Sequence, residues 1–465
     1  MRKTLSKSQM IRYCLSDIAK GLFNGMIGNY LLYFFQPTVK SGLPNLLPQN
    51  KLLGFITIMA LLTGIGKIID AITDPLVASL SDRCTHNDGR RMPFMKYAGI
   101  PYAVSVLMIF MAPFKQGSVA NAIWVGFFLI VYYTAYTFYF IPHNALVPEV
   151  IPDAKDRVGY YGISTAFFMG SSSFMYAATL FVNLIKNGFD VSALVAWRIV
   201  FTVFAAIGLV CVMLGATAFK ERDYVDANVK PKQSMIKSAI EIFKNKTFLT
   251  FFAGDLFSYI SMAFFQTAML YYITMLLNVP ESQSFLVMLS AIGVALCMFP
   301  MIVKFSKKYG KKTMLVIASI VFTVVFAFIF FGDKLSALVP GNELYLGLFM
   351  GIVVAFPFAA INILPQSVMS DIIQKDSIEN GVNREGIFSA SKTFIEKVAY
   401  SLAMVVVSSV LAVGAPMGES VGMLGVKLTG VFAGLFSLVS LIFFTLYNEK
   451  TVTRFIDEHR KEGKE

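Results

Sequence analysis

Charged residues are scarce in this chain of 465 residues: Asp, Glu, Lys and Arg make up 15% of it, against about 25% in an ordinary soluble domain. Hydrophobic residues account for 56%. A protein with so little charge must face lipid over much of its surface. The composition therefore excludes soluble enzymes, soluble nucleic-acid-binding proteins and disordered tails.

Cysteine and histidine are also rare. Four cysteines are too few for a disulfide framework, and we interpret them as free thiols. The three histidines, at positions 86, 143 and 459, lack the spacing of metal ligands. His143 lies inside an apolar stretch and is interpreted as a helix-contact residue. We therefore expect no resident cofactor and no enzymatic activity.

Long apolar stretches, in contrast, are abundant. About twelve of them approach the roughly 20 residues that a helix needs to cross a bilayer. They cover residues 13–36, 52–81, 94–113, 119–145, 160–186, 198–219, 247–277, 284–304, 313–332, 342–370, 387–414 and 422–447. This pattern predicts an all-α integral membrane protein with 12 transmembrane helices.

The positions of Lys and Arg predict the orientation of these helices. Of the 40 basic residues, about 29 fall in the two termini and the loops on one side, and about 5 in the alternate loops. By the positive-inside rule, both termini are expected to be cytoplasmic in a multi-pass protein of the cell membrane. The formal charge of +12 is then a sign of topology, and no nucleic-acid partner is expected.

The longest polar stretch, Lys220 to Lys246, has six apolar stretches on each side and is interpreted as a linker. It predicts four segments: an N-terminal six-helix bundle (1–220), a cytoplasmic linker (221–246), a C-terminal six-helix bundle (247–449) and a cytoplasmic tail (450–465).

The two halves also echo each other. Gly89-Arg90-Arg91 follows the second apolar stretch, and Gly310-Lys311-Lys312 follows the eighth, at an offset of 221 residues. Two six-helix bundles related by an axis along the membrane normal are the architecture of a rocking transporter. An unrelated twelve-helix enzyme or channel is the alternative.

Charged residues inside an apolar stretch are candidates for function because they are costly at membrane depth. In the second stretch, Lys67, Asp70 and Asp74 fall on one face of a helix, with the Thr73 hydroxyl beside them. Two neighbouring carboxylates and a hydroxyl suit a small cation, which prefers several oxygen ligands. A proton would serve equally well. The alternative is an internal ion-pair set that only holds helices together.

The eleventh stretch carries three further charges. Lys392 and Glu396 are spaced to neutralise each other on one helix face. Lys397 then remains, and we expect it to pair with carboxylates of the first bundle and act as a gate. The alternative is that Lys397 only extends its side chain towards the membrane interface. Asp255 in the seventh stretch is isolated, and its role stays open.

Other polar groups lie in the first and fourth stretches. Asp17 and Lys20 have the spacing of a structural ion pair. Tyr136, Thr137 and Asn144 could form hydrogen bonds with a hydroxylated solute.

Several segments resemble the glycoside-pentoside-hexuronide:cation symporters, a branch of the major facilitator superfamily that includes the melibiose permeases. The resemblance is carried by DAITDPLVASLSDR and GRRMPFM, by YTFYFIPHNALVP, and by SDIIQKDSIENGVNREGIFSASKTF with Lys397 after it. It implies the major facilitator fold and a sodium- or proton-coupled symporter that moves its solute inward by alternating access.

The resemblance also implies roles for single residues. Asp70 and Asp74 match the cation-binding carboxylates, which would hold Na⁺ if sodium is the coupling ion, and Thr137 matches a hydroxyl ligand. Thr73 stands where melibiose permeases have Asn. Three further residues match positions of this family. Lys67 matches a basic position, Lys397 matches the lysine of the eleventh transmembrane helix, and Tyr136 matches a tyrosine of the sugar pocket.

The solute pocket departs from melibiose permeases, because their charged galactoside ligands are replaced here. This sequence has Gly21, Phe140 and Thr165 at the three positions of those charged ligands. It has Asn144 and Asn362 at two positions where melibiose permeases have tryptophan. The candidate solute-binding residues are therefore Lys20, Tyr136, Phe140, Asn144, Thr165 and Asn362, and a galactoside is not the expected solute. A similar branch carries lysophospholipids in animals.

Together these features predict a monomeric secondary active transporter in the lipid bilayer. It would couple a cation, sodium or proton, to the import of a sugar or glycoside. The alternatives are a symporter or uniporter of a different solute, such as a lysolipid, and a non-transporting membrane protein on the same fold.

Overall fold

Twelve long helices form most of the part of the chain that the computed structural model describes, which is residues 5–49, 51–52, 56–151, 154–224, 245–380, 385–416 and 419–462. They are α1 (Lys7–Gly25), α2 (Ile58–Arg83), α3 (Met92–Met111), α4 (Val119–Val150), α5 (Ala154–Phe174), α6 (Ala193–Ala216), α7 (Lys246–Tyr271), α8 (Glu281–Tyr309), α9 (Lys311–Phe330), α10 (Glu343–Asn380), α11 (Glu385–Leu411) and α12 (Met423–Leu446). Each lies at one of the predicted apolar stretches.

Shorter elements extend or connect these helices. A five-residue π-helix follows both α1 and α7, at Met26–Tyr30 and Tyr272–Leu276. The other short elements are the helices Leu31–Phe35, Ala178–Phe189, Gly332–Ala337 and Glu449–Glu462, the 3-10 turns Val39–Ser41, Met175–Ala177 and Glu221–Asp223, and a pair of two-residue antiparallel strands, β1 (Lys51–Leu52) and β2 (Ile56–Thr57).

Helix starts follow the local sequence. Ser6 and Gln9 form a reciprocal capping box before α1, because Ser6 Oγ accepts from Gln9 N while Gln9 Oε1 accepts from Ser6 N. Thr57 caps α2 by accepting from the Ala60 N–H, and Asn245 caps α7. These side chains satisfy N–H groups that have no partner inside the helix.

By length and composition, nine of the twelve helices can cross a membrane, counted over the described residues. The other three are α1, α2 and α11, which contain most of the charged residues predicted above to lie inside apolar stretches. Asp255 of α7 is the exception, since α7 is among the nine.

The described chain separates into two compact units, one from Met1–Pro231 with Ala412–Gly422 and one from Lys232–Leu411 with Met423–Glu465. In the first, α1 packs against α5 and α6, α4 against α2 and α3, and α3 against α6. The second repeats this pattern: α7 packs against α11 and α12, α10 against α8 and α9, and α9 against α12. The sequence echo thus corresponds to a structural repeat.

A buried carboxylate holds the loop between α2 and α3 in the first unit. Glu221 Oε2 accepts hydrogen bonds from the N–H groups of Arg91 and the residue after it, both at 2.8 Å. Gly89 has φ +119°, and a Cβ there would collide with this carboxylate. Arg90 and Arg91 also pair with Glu149 at the end of α4. The predicted linker begins at Glu221, yet the side chain of Glu221 is buried and packs within the first unit.

The second unit has the same arrangement between α8 and α9. Glu449 accepts from the N–H groups of Lys311 at 2.8 Å and Lys312 at 2.9 Å. Gly310 has φ +90°, and a Cβ on it would lie 2.8 Å from the carboxylate. Lys311 pairs with Asp371 in α10 at 2.6 Å. The repeated Gly-Arg-Arg and Gly-Lys-Lys segments therefore each mark the start of a helix that is capped by a glutamate far away in the sequence.

Replacing Glu221 or Glu449 by alanine should destabilise its own unit by about 1–2 kcal/mol, because two N–H groups at a helix start lose their acceptor. We expect a lower melting temperature of the detergent-purified protein in both variants. Glu458→Ala is the matched control, since Glu458 is exposed and pairs with Arg454 on the tail helix. Unchanged melting in both cap variants would contradict this role.

Candidate cation and solute site

Four oxygen-bearing side chains of α2 and α4 meet inside the first unit. Thr137 Oγ1 lies 3.0 Å from Asp70 Oδ1 and 3.1 Å from Asp74 Oδ1. Thr73 Oγ1 lies 3.4 Å from Thr137 Oγ1 and also donates to the Asp70 carbonyl. Asp70 and Thr137 are buried, with 1% and 0% of their surface exposed. The structure thus brings together the four residues predicted to bind the cation.

A close crossing of two helices produces this cluster. The two carboxylates are one turn apart on α2, and α4 inserts Thr137 between them. One turn before Asp70, Gly66 lies against Tyr133 of α4, and a Cβ at that glycine would be 2.6 Å from the tyrosine ring. Glycine is required there because a larger residue would push α2 away from α4.

The cluster has more acceptors than its hydroxyls can satisfy. Thr137 has one hydroxyl hydrogen, so it can donate to only one of the two carboxylates at a time. Oxygens that share a cation at about 2.3–2.6 Å stand about 3.3–3.7 Å apart when their bonds are at right angles. The observed spacings of 3.0–3.4 Å are close to that range. The arrangement can therefore bind a small cation or a proton.

An aromatic surface with a cation beside it lies in the same unit. The Lys20 ammonium is 5.2 Å from the ring centre of Phe140 and 5.4 Å from that of Phe168. Tyr136 packs on Phe140 with ring centres 5.0 Å apart. Three of the residues predicted to bind solute therefore lie together.

The first helix also carries a buried carboxylate with a hydroxyl partner. The sequence predicts that Asp17 pairs with Lys20, whereas the structure pairs Asp17 with Ser164 of α5 through a hydrogen bond of 2.6 Å. Lys20 lies on the rings described above. Asp17 contributes to the packing of α1 on α5.

The other predicted solute residues are spread over three helices. Asn144 is exposed on α4, and its Oδ1 is 3.4 Å from His143 Nδ1. Thr165 is exposed on α5. Asn362 belongs to the second unit and donates to the Phe358 carbonyl of its own helix at 2.7 Å. These three positions stay predictions for the pocket.

Two predicted coupling residues are not tested by the contacts. The side chain of Lys67 lies outside the described residues, although its backbone belongs to α2. Lys397 is half-buried on α11. Their coupling and gating roles stay predictions.

His143 is a helix-contact residue, as predicted. Only 1% of its surface is exposed, and its ring stacks on Tyr13 with ring centres 4.2 Å apart. The Tyr13 hydroxyl also donates to the His143 carbonyl at 2.9 Å. These contacts join α1 to α4.

One contact between polar groups was not predicted from the sequence. The predicted Lys392–Glu396 pair is present at 3.0 Å, but Lys392 also lies 3.8 Å from Asp255 of α7 and 3.3 Å from the amide oxygen of Gln366 in α10. Asp255 is therefore not isolated. No local pattern could reveal this contact, because the three helices are far apart in sequence.

Two repeated six-helix units, with carboxylates buried between their helices, define a secondary transporter of the major facilitator type. The solved structure of a nucleoside transporter shares this fold, with a TM-score of 0.63, 14% identity, and coverage of 95% of this chain and 100% of the other. The chain belongs to the family described as MFS/sugar transport protein, whose sequence profile it matches over residues 12–448.

Individual relatives agree with this assignment. An uncharacterized symporter of Bacillus subtilis (strain 168) is 25% identical over 404 residues, which is 86% of this chain and 82% of the relative. The isoprimeverose transporter of Lactiplantibacillus pentosus is 22% identical over 412 residues, 88% of this chain and 80% of the relative. These findings confirm the predicted fold and the predicted family. They also confirm the prediction that the protein is a multi-pass membrane transporter of sugars rather than an enzyme.

Gly66→Ala should lower the melting temperature, because the added methyl group must displace Tyr133 and move α2 away from α4. Overpacking of this kind costs about 1–3 kcal/mol. Gly170→Ala is the control, since a Cβ at Gly170 would meet nothing within 4 Å. Equal melting temperatures of the two variants would show that the α2–α4 contact tolerates the extra volume.

Proposed function

We propose that the protein couples the inward movement of a cation to the import of a carbohydrate across the cell membrane, with Asp70, Thr73, Asp74 and Thr137 binding the cation. The observation that carries this proposal is the Thr137 hydroxyl, which lies within 3.1 Å of two carboxylates at membrane depth. A cation there supplies the positive charge that two neighbouring carboxylates require.

Coupling follows from the charge of this cluster. Without a cation, the carboxylates keep a negative charge among apolar helices, which opposes closure of the site to water. Binding of the cation removes that penalty and favours conformations in which the site is closed. Solute that binds the same conformations is then bound more tightly, and the effect is reciprocal.

The solute is proposed to lie against the aromatic surface of Tyr136 and Phe140. A sugar ring presents C–H groups that pack on aromatic faces, while its hydroxyls accept from Lys20 and exchange hydrogen bonds with Asn144 and Thr165. The name of the isoprimeverose transporter supports a carbohydrate solute. Asn362 of the second unit is the remaining candidate ligand.

The rest of the proposal concerns orientation and gating. The cytoplasmic placement of both termini rests on the excess of basic residues in one set of loops. Lys67 and Lys397 are proposed to compete with the cation for the carboxylates. The transport unit is proposed to be a monomer, since one chain supplies all four proposed cation ligands.

Thermal stability of the detergent-purified protein tests the ligands directly. A ligand that binds only the folded protein increases the free energy of unfolding, by about 2.7 kcal/mol when its concentration is a hundred times Kd. The melting temperature then rises. We expect a glycoside, pentoside or hexuronate to stabilise the protein more in sodium than in potassium, or more at lower pH if the proton is the coupling ion. A lysolipid as the single stabilising compound would contradict a carbohydrate solute.

Variants of the cluster test coupling. Asp70→Asn and Thr137→Val should abolish cation-driven accumulation in proteoliposomes, because the first removes a negative charge and the second a ligand oxygen, both at almost unchanged volume. Thr137→Ser is the matched control and should retain accumulation, since it keeps the hydroxyl. Melting temperatures near that of the wild type would show that the inactive variants fold. Persisting coupled accumulation in Asp70→Asn would overturn the proposal.

A further inference from the structure

A second group of buried charges lies in the second unit, around the ammonium of Lys392. Three helices supply its oxygen neighbours: Glu396 of α11 at 3.0 Å, Gln366 of α10 at 3.3 Å and Asp255 of α7 at 3.8 Å. We call Asp255, Lys392 and Glu396 the α7–α11 triad. None of its members belongs to the proposed cation or solute site.

The two carboxylates of the triad are not equivalent. The Asp255 side chain is 7% exposed, whereas that of Glu396 is 28% exposed. Glu396 also lies within hydrogen-bonding distance of the ammonium, at 3.0 Å, whereas Asp255, at 3.8 Å, does not. Asp255 is therefore both the more buried carboxylate and the one without a direct hydrogen bond from Lys392.

The charges of the triad do not balance. One ammonium faces two carboxylates, so the fully ionised triad carries a net charge of −1. A net charge inside a membrane-spanning bundle is unfavourable, and partial pairing does not remove the whole cost. One proton makes the triad neutral.

Among the described residues, α11 carries one further charge near the triad, the half-buried Lys397, which follows Glu396 and therefore lies about 100° around the helix from it. Neither α10 nor α12 supplies an ion pair to Asp255, Lys392 or Glu396 among those residues.

α7 packs against α11, α12 and, to a smaller extent, α10. Near Asp255, α12 presents the hydroxyl of Ser440, which donates to the Gly254 carbonyl. Lys427 is the charged residue of α12, and it pairs with Asp333, at 2.6 Å. From α10, the contact is the uncharged Gln366.

We propose that the α7–α11 triad is a proton-binding site of the second unit and that Asp255 holds the proton. The proton comes from water, converts the carboxylate to a carboxylic acid and leaves Lys392 paired with Glu396. The site is separate from Asp70 and Asp74, so it binds its proton whichever cation drives transport.

The first unit provides the contrast. Asp17 of α1 occupies the corresponding helix and faces the corresponding partner, α5, where Ser164 donates to it at 2.6 Å. There is one carboxylate in that contact and a donor at short range. In the second unit the place of the serine is taken by an ammonium shared between two acids. A proton site is therefore inferred for Asp255 and not for Asp17.

Infrared spectroscopy of the full-length protein in lipid nanodiscs tests the proposal. Between about pH 6 and about pH 9, where an ordinary aspartic acid is ionised, we expect a carboxylic acid C=O absorption from residue 255 that weakens as the pH rises. Asp255→Asn should remove it, and Asp255→Glu should shift its frequency, which places the proton at residue 255. Asp17→Asn, the matched control, should leave it unchanged.

Lys392→Gln gives an independent test that does not need Asp255→Asn to fold. Loss of the ammonium removes the charge that favours the carboxylate, so the absorption should persist to higher pH than in the wild type. An absorption missing from the wild type throughout this pH range, or unaffected by Asp255→Asn, would overturn the proposal. So would an unchanged frequency in Asp255→Glu, because the proton would then belong to Glu396.

The result is distinguishable from failure of the proposed transport function. The absorption is measured without solute and without a cation gradient, and its variants leave Asp70 and Thr137 intact. A proton at Asp255 in a protein that transports nothing would support this inference alone, while coupled transport without the absorption would support the proposed function alone.

Discussion

A carboxylate inside a membrane-spanning helix must receive charge or hydrogen-bond donors from another helix, and this requirement decides which helices of the protein pack together. Asp17 joins α1 to α5 through a serine hydroxyl, and Asp255 joins α7 to α11 through an ammonium. Asp70 joins α2 to α4 through Thr137.

These three contacts differ in how completely the donor neutralises the carboxylates around it. This difference distinguishes a carboxylate that only joins helices from carboxylates that can bind a ligand. A single carboxylate with a short hydroxyl contact is already satisfied and acts as packing. Two carboxylates around one hydroxyl, or around one ammonium, hold more negative charge than that shared donor neutralises, and they attract a cation or a proton. The two proposed binding sites are therefore places where carboxylates outnumber the donor they share.

The sequence predicted what depends on neighbours along the chain. Apolar stretches predicted the helices, and helical spacing placed Asp70, Thr73 and Asp74 on one face. The role of Thr137 came from a family resemblance, since no spacing rule connects α4 to α2. The Asp255–Lys392 contact and the glutamate caps could not be predicted, because they join segments far apart in sequence. Asn144, Thr165 and Asn362 remain positions without a shared geometry.

The glutamate caps impose an order on assembly during synthesis. Glu221 leaves the ribosome after the six long helices of its unit, and Glu449 after the six long helices of the other, so neither helix cap can form before these helices have been made. The ion pairs to Glu149 and Asp371 become available earlier, because these residues precede the sixth long helix of their units. A chain truncated just before either glutamate would contain the six long helices of that half and still lack the cap.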